Sequence, residues 1–550
     1  MNRQTAIIDG VWIFCFGLAS TVWCLSAAAT LGATFDEPTY IYCGLEHWRT
    51  GSYKLLMRLG TMPLAVDIQT LPVHFLEIWR RASVPFAEAL RWARGMTLLF
   101  WWILLFYTLR AGRMIAGNWG GRLAVAFLAC EPLVLGHAAL ATSDVAVAAC
   151  LLVLSVEFYR GREKRWPRRL ALPAILYGLA ILAKASALVL GPVCLLVIEA
   201  ERIWRAAQSP AETVVSRERV RRSCVDVLII MAGGLIVTVL YCGSDWTTER
   251  TFIEWAQTLP ARRVHDAMLW ISTHLKIFTN AGEGLVQQIK HNIRGNGAFI
   301  LGHEYPRAAW FYFPAALTMK LSLSLLVGVA VIAALCRAAF RNWACLLTIV
   351  LLIYSLTFRV QIGVRLMLPV IVFLCVGLAS AATIAFRQLH GAKRIVLTIW
   401  LVAGISSTMV AAVRVWPYGI CFTNAAWGGT ANGYRLLSDS NYDWGQGLPD
   451  LRKWARQHNV AEIDVWYFGS DPSLNVAPLR GLPLHLRPAE DVAPAVQGKL
   501  VAVSTTLLYG AYGRAPGSVR DIAAWFRERQ PIDRTMTFFI YDFREVALTR

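Results

Sequence analysis

Uninterrupted apolar stretches constrain this chain more than any other feature. A run of roughly 17–25 apolar residues can satisfy its backbone in lipid only as a helix. About eleven such runs occur, near 9–33, 93–114, 121–140, 142–159, 170–187, 188–203, 225–243, 310–336, 344–358, 363–386 and 395–414. Hydrophobic residues make up 56% of the chain and charged ones 16%, against roughly 25% charged in a soluble domain. The expected fold class is therefore a polytopic α-helical membrane protein with about 11 spans. The first run leads straight into Phe35-Asp36-Glu37-Pro38 with no small-residue cleavage site, so it reads as a span, not a signal peptide.

Lys and Arg near the span ends give an orientation. With the N-terminus inside, one side collects Arg110, Arg113, Arg122, the run 160–169, Arg217–Arg222, Arg337, Arg341, Arg387, Lys393 and Arg394. The long segments 34–92, 244–309 and 415–550 then fall outside. The formal net charge of +19 becomes a topology signal, which leaves little for a nucleic-acid partner.

In 34–92, Leu71, Phe75, Ile78 and Trp79 recur at helical spacing beside Arg80 and Arg81. In 244–309, Trp255, Leu259, Met268, Leu269, Trp270, Leu275, Ile277 and Phe278 interleave with Arg262, Arg263, His265 and Lys276. Both patterns predict interfacial helices. Residues 415–550 have short apolar runs and more charge. Helices over 448–457 and 519–529 and strands over 463–468, 500–505 and 537–541 predict a small C-terminal α/β outer domain. The expected organisation is thus 1–414 in the membrane and 415–550 outside it. The twelve cysteines show no metal-ligand spacing, and a Cys43–Cys421 disulfide stays open.

Ionisable groups inside or at the ends of apolar runs are costly and so become functional candidates. Asp36-Glu37 follows the first run directly, where partial desolvation suits a general base; equally, Asp36 before Pro38 suits a helix N-cap. Asp144, after Thr142-Ser143, has the same two readings. Glu131 lies within a run and needs a polar partner, for which His137 is the candidate. Lys184, Lys320 and Arg365 supply cations for a leaving phosphate. Snorkelling accounts for Arg365, but not for Lys320, about ten positions into its run. An acid-plus-cation pocket at one membrane face predicts an enzyme acting on a lipid-linked phosphate.

These residues stand in segments that resemble a known family. They are Phe35-Asp36-Glu37-Pro38-Thr39-Tyr40 with Thr50-Gly51-Ser52-Tyr53, Ala141-Thr142-Ser143-Asp144, and Gly178 through Leu188. Further on come His291-Asn292, Phe299-Ile300-Leu301-Gly302, Trp310-Phe311-Tyr312-Phe313-Pro314 with Lys320, and Asp439 through Gln446. In order and spacing they resemble the type C fold polytopic membrane glycosyltransferases, above all bacterial relatives of dolichyl-phosphate-mannose protein mannosyltransferases and aminoarabinose transferases. The resemblance implies inverting sugar transfer from a polyprenyl-phosphate donor to an acceptor hydroxyl on glycan, lipid or protein. It assigns Asp36 as base, Asp144 as the second acid, and Lys184, with Lys320 or Arg365, to the donor phosphate; beside it, the residues themselves offer Glu37 as the other member of the acidic pair and Glu131, His137 and His291 as supporting candidates. It makes no catalytic metal obligatory and implies a bacterial inner membrane with the C-terminal domain in the periplasm. Two departures remove histidines: Thr61-Met62-Pro63-Leu64 replaces a His-Pro-Pro-Leu-like element, and Arg365-Leu366 replaces Arg-His. They leave either the specificity or the activity altered. A transporter or flippase of polyprenyl-linked lipids and a non-catalytic scaffold are the alternative readings. The first would favour repeated halves and broken central helices.

Overall fold

The computed structural model describes residues 3–207, 217–276, 279–510 and 517–544. Each of the apolar runs is helical over most of its length. Among the described residues, six helices are long and apolar enough to cross a membrane: Arg3–Thr30, Phe86–Ala116, Glu218–Cys242, Leu323–Phe340, Val364–Gln388 and Gly391–Val415. Asn118–Cys130 with Pro132–Ala138 adds a seventh if the pair, bent by 69°, is one span. An expected count of about eleven spans is not confirmed by these helices, and the reason is local. Several runs break where a polar residue leaves the helix.

Three of these breaks place candidate side chains. Glu131 adopts extended geometry before Pro132 and ends the Asn118–Cys130 helix, since Pro restrains its predecessor away from α geometry. Lys184 is extended (φ −162°, ψ 133°) at the end of Leu172–Ala183, before Ala187–Ala207 begins. The run 310–336 is two helices, Tyr312–Lys320 and Leu323–Cys336, parted at Leu321 and Ser322. Lys320 is therefore the last residue of a short helix and not a cation in mid-span.

Val364–Gln388 forms the centre of the helical region, with 89% of its most apolar stretch inside the protein. Around it pack Phe86–Ala116, Asn118–Cys130, Asp144–Gly161 and Trp343–Ser355. The outermost helices carry exposed apolar stripes at helical spacing. Ile7, Val11, Phe14, Leu18, Val22 and Leu25 form one stripe, and Ile395, Ile399, Val402, Val410 and Val413 another. Such stripes in water would be strongly unfavourable, at roughly 25 cal/mol per Å2 of apolar surface; against acyl chains they cost nothing. This chain is a multi-pass membrane protein.

The segment 34–92 contains the helix Pro63–Arg80, which exposes Phe75, Ile78 and Trp79. The segment 244–309 holds Arg250–Gln257, Arg263–His274 and Thr279–Arg294, then a hairpin of β1 (Ala298–Ile300) and β2 (His303–Tyr305). Ile277 and Phe278 of the predicted interfacial pattern lie outside the described residues. The C-terminal part forms a five-stranded sheet of β3 (Ile463–Trp466), β4 (Leu479–Gly481), β5 (Leu500–Ser504), β6 (Asp533–Arg534) and β7 (Phe538–Asp542), in the order β4-β3-β5-β7-β6. β3 runs parallel to β4 and β5, and β7 antiparallel to β5 and β6. The helices Leu448–Gln457 and Gly517–Arg527 accompany it. All twelve cysteines are free, so Cys43 and Cys421 form no disulfide; Cys421 donates to the Tyr442 carbonyl instead.

Candidate active site

The helix Glu37–Thr50 begins at Asp36, whose side chain makes no capping hydrogen bond. Asp36 Oδ2 instead accepts from Arg365 Nη1 at 2.7 Å and from the Tyr40 hydroxyl at 3.4 Å. Asp144 opens Asp144–Gly161. Its Oδ1 takes the Lys184 ammonium, and its Oδ2 lies 3.8 Å from Arg365 Nη1. Two carboxylates and two cations thus alternate, Asp36–Arg365–Asp144–Lys184, with Arg365 at the junction. The face of its guanidinium rests on the Trp444 ring, 4.2 Å from the centroid. That cation–π contact holds the plane while both edges stay available for acids.

Lys184 and Arg365 also line a cavity of about 230 Å3. Its walls are otherwise mostly apolar: Val147, Leu188, Val189, Leu285, Ile289, Tyr354 and Phe358, with Gln288 and Asn292 from the helix Thr279–Arg294. An apolar slot with two cations at it accommodates an amphiphile with an anionic head. The break at Lys184 makes this geometry: an extended residue between helices can turn its ammonium toward the slot and Asp144 together.

Glu37 occupies a different place from its neighbour. It is fully buried, with Arg94 Nε and Nη2 on its two oxygens at 2.8 and 2.7 Å. The backbone N–H of Thr34 (2.8 Å) and of Ala141 (2.7 Å) donate to it as well. Burial alone would raise this carboxyl; Arg94 and those amides outweigh it and hold Glu37 below the usual carboxylate range. Arg94 donates further to the carbonyls of Ala28, Leu31 and Gly32. Sequence reasoning missed Arg94. Its one signal was an arginine near the start of a long apolar run, which snorkelling would also explain.

Among the remaining candidates, Lys320 is buried and donates to the carbonyls of Ile420 (2.7 Å) and Asn441 (2.6 Å), so it fastens the C-terminal part to the helices. Glu131 meets no histidine: it accepts from the Ser322 N–H at 3.0 Å and hydroxyl at 2.6 Å, and so stitches two helix breaks together. Both ring nitrogens of the buried His137 lack a hydrogen-bond partner. His291 Nε2 lies 3.2 Å from Asn296 Oδ1, and its helix neighbours Gln288 and Asn292, not His291, line the cavity. Among the described residues no three His, Cys, Asp or Glu side chains group as metal ligands.

No family model matches the chain, and no curated protein does. Among solved structures it is similar to ArnT from Cupriavidus metallidurans bound to undecaprenyl phosphate, with 12% identity over 96% of this chain and 97% of that one and a TM-score of 0.46. It is also similar to the archaeal oligosaccharyltransferase AglB from Archaeoglobus fulgidus in complex with an inhibitory peptide and a dolichol-phosphate. That match has 10% identity over 90% of this chain and 71% of that one, at a TM-score of 0.45. A third is the mycobacterial arabinofuranosyltransferase AftD, with 13% identity over 92% of this chain and 35% of that one, TM-score 0.39. Likeness at this level does not transfer chemistry, which has to come from the side chains themselves.

Proposed function

We propose that this protein transfers a sugar from a polyprenyl-phosphate donor to an acceptor hydroxyl at the outer face of a membrane, with inversion. The observation that carries the reading is the apolar cavity with Lys184 and Arg365 in its lining, each cation tied to an acid that faces the same cluster. In the reaction the acceptor O–H gives its proton to Asp36 while its oxygen attacks the anomeric carbon. The bond from that carbon to the bridging phosphate oxygen breaks, and its electron pair leaves with the polyprenyl phosphate. Lys184 and Arg365 meet the charge that grows there.

Arg365 sits on Asp36 at 2.7 Å, and that contact gives the sequence an order. A donor phosphate competes for the guanidinium and so frees the carboxylate for the acceptor. Asp144 aims Lys184. Glu37 holds the turn that carries Asp36 and exchanges no proton, and Lys320 acts through the architecture and not on phosphate.

The test is release of polyprenyl phosphate from a panel of polyprenyl-phosphate sugars by purified protein in nanodiscs. Asp36→Asn keeps the shape and is expected to lower release by about 10²–10⁴. Wild-type protein that melts cooperatively yet releases nothing from any donor would shift the reading to a lipid transporter.

A further inference from the structure

The segment from Asp439 to Gln446 carries no group assigned to proton transfer or phosphate, yet it touches both halves of the candidate site. On one side, Asn441 Oδ1 accepts the Val364 N–H at 2.9 Å, and the Ser440 hydroxyl donates to the Ile362 carbonyl at 2.5 Å. Arg365 follows these residues directly. Gly363 lies between them because nothing larger fits: a Cβ there would stand 2.0 Å from Ser440 Oγ. On the other side, the Trp444 carbonyl accepts the Phe35 N–H at 2.8 Å, and the Gln446 carbonyl accepts the Gly32 N–H at 2.9 Å. Asp36 follows directly there too. In the middle, the Trp444 ring carries the Arg365 guanidinium.

The segment is itself anchored from both ends. Asn441 is fully buried, donates to the Tyr312 hydroxyl at 2.8 Å, and takes Lys320 on its carbonyl. Asp443 accepts from the Thr505 hydroxyl and the Thr506 N–H at 3.2 Å, where β5 ends. The loop after β3 reaches the Asp36 turn a second time: Asp471 accepts the Ala33 N–H at 2.9 Å, and the Ser470 hydroxyl donates to the Phe35 carbonyl at 2.6 Å.

We infer that Asp439–Gln446 is a template that sets Asp36 and Arg365 against each other, and that Asn441 and Trp444 are positioning residues for the transfer reaction. The inference rests on the proposed function for its catalytic consequence, but not for its geometry. The C-terminal domain on this reading belongs to the catalytic unit: an acceptor that presses on the ends of β3 and β5 presses on the turn carrying the base.

The experiment compares wild type, Asn441→Ala, Ser440→Ala, Trp444→Ala and Trp444→Phe in nanodiscs, with two readouts. Amide hydrogen exchange over residues 32–37 and 362–366 tests the template, with the β5–β7 ladder as internal reference. Donor turnover tests its consequence. Exchange is expected to quicken over 362–366 in Asn441→Ala and Ser440→Ala, and over both segments in Trp444→Ala, with the ladder unchanged. In the same variants kcat is expected to fall, by about 10²-fold for Trp444→Ala, with donor KM within a few-fold. Trp444→Phe, which keeps a ring under Arg365, is expected to recover most of that loss. Ser440→Ala removes one hydroxyl and keeps the test alive should Asn441→Ala misfold. Unchanged exchange at both segments overturns the template. Quickened exchange with kcat within twofold of wild type overturns the positioning role. Should wild type release nothing from any donor, the proposed function fails while the exchange data still decide on the template.

Discussion

Removing Arg94 tests how the Asp36 turn is held. In Arg94→Met the aliphatic stem remains, but Glu37 loses its cation, and the carbonyls of Ala28, Leu31 and Gly32 lose a donor. Both side chains of the pair are fully buried. Stranding one charge of such a pair costs about 3–5 kcal/mol, whereas replacing both partners by neutral groups costs far less. Arg94→Met/Glu37→Gln is therefore expected to be more stable than Arg94→Met alone, with a coupling energy of about 2 kcal/mol or more. The assay is the midpoint of unfolding in mixed micelles for the four proteins of the cycle, at pH 7 and near pH 4. The pH arm has a definite sign. Glu37 is held below its ordinary value of 4.5, so its share of wild-type stability is present above that pH and is lost as pH falls through the folded value. In Arg94→Met the stranded carboxylate takes up a proton more readily as pH falls, so the gap between variant and wild type narrows toward pH 4. An additive cycle, or a gap that does not change with pH, would refute the buried-pair reasoning.

Other expectations concern single contacts. Lys184→Met is expected to weaken polyprenyl-phosphate binding, measured by titration in nanodiscs, by tenfold or more (about 1.4 kcal/mol); Lys320→Met is expected to leave that affinity within about twofold and to loosen 415–447, seen as faster proteolysis. Burial lifts Asp443 to about 7 from an ordinary 3.8, against the bonds it accepts from Thr506, Gly445 and Thr505. Its share of stability is therefore complete below about pH 4 and is lost as pH rises toward 7, and Asp443→Asn is expected to flatten the unfolding profile over that window. Glu131→Gln, which can still accept from Ser322, is expected to cost less stability than Glu131→Ala, which leaves the buried Ser322 N–H without its acceptor.

Much of this was legible in the chain because lipid makes charge conspicuous. Asp36, Asp144, Lys184 and Arg365 each stood out against apolar neighbours, and the structure brings these four into one cluster. The adjacent acid Glu37 stood out equally, yet periodicity could not say that one residue faces Arg365 and the next Arg94. Lys320 stood out through its depth in a run that looked continuous, because Leu321 and Ser322 are no more polar than many mid-helix residues; Ser322 at the break meets Glu131, 191 positions away. Three of the five strands of the C-terminal sheet were readable from short β-rich runs, but β4, β6 and the contacts of Trp444 and Asn441 with residues 32–36 and 362–365 were not. These contacts join distant segments, in part through backbone groups, and no local sequence pattern encodes them.

The alternation of two acids with two cations has a kinetic consequence. Formally, the cluster's charges cancel. On the proposed reaction the incoming lipid is a phosphodiester with one negative charge, and the outgoing one a monoester with nearly two at neutral pH. The spent carrier is thus gripped harder than the loaded one, by the same two residues that helped to make it. Turnover would then be paced by escape of the carrier and not by bond cleavage, and the enzyme would stall wherever used lipid accumulates in its leaflet. A membrane holding such a protein would need a separate activity that clears or recharges that lipid on the same side.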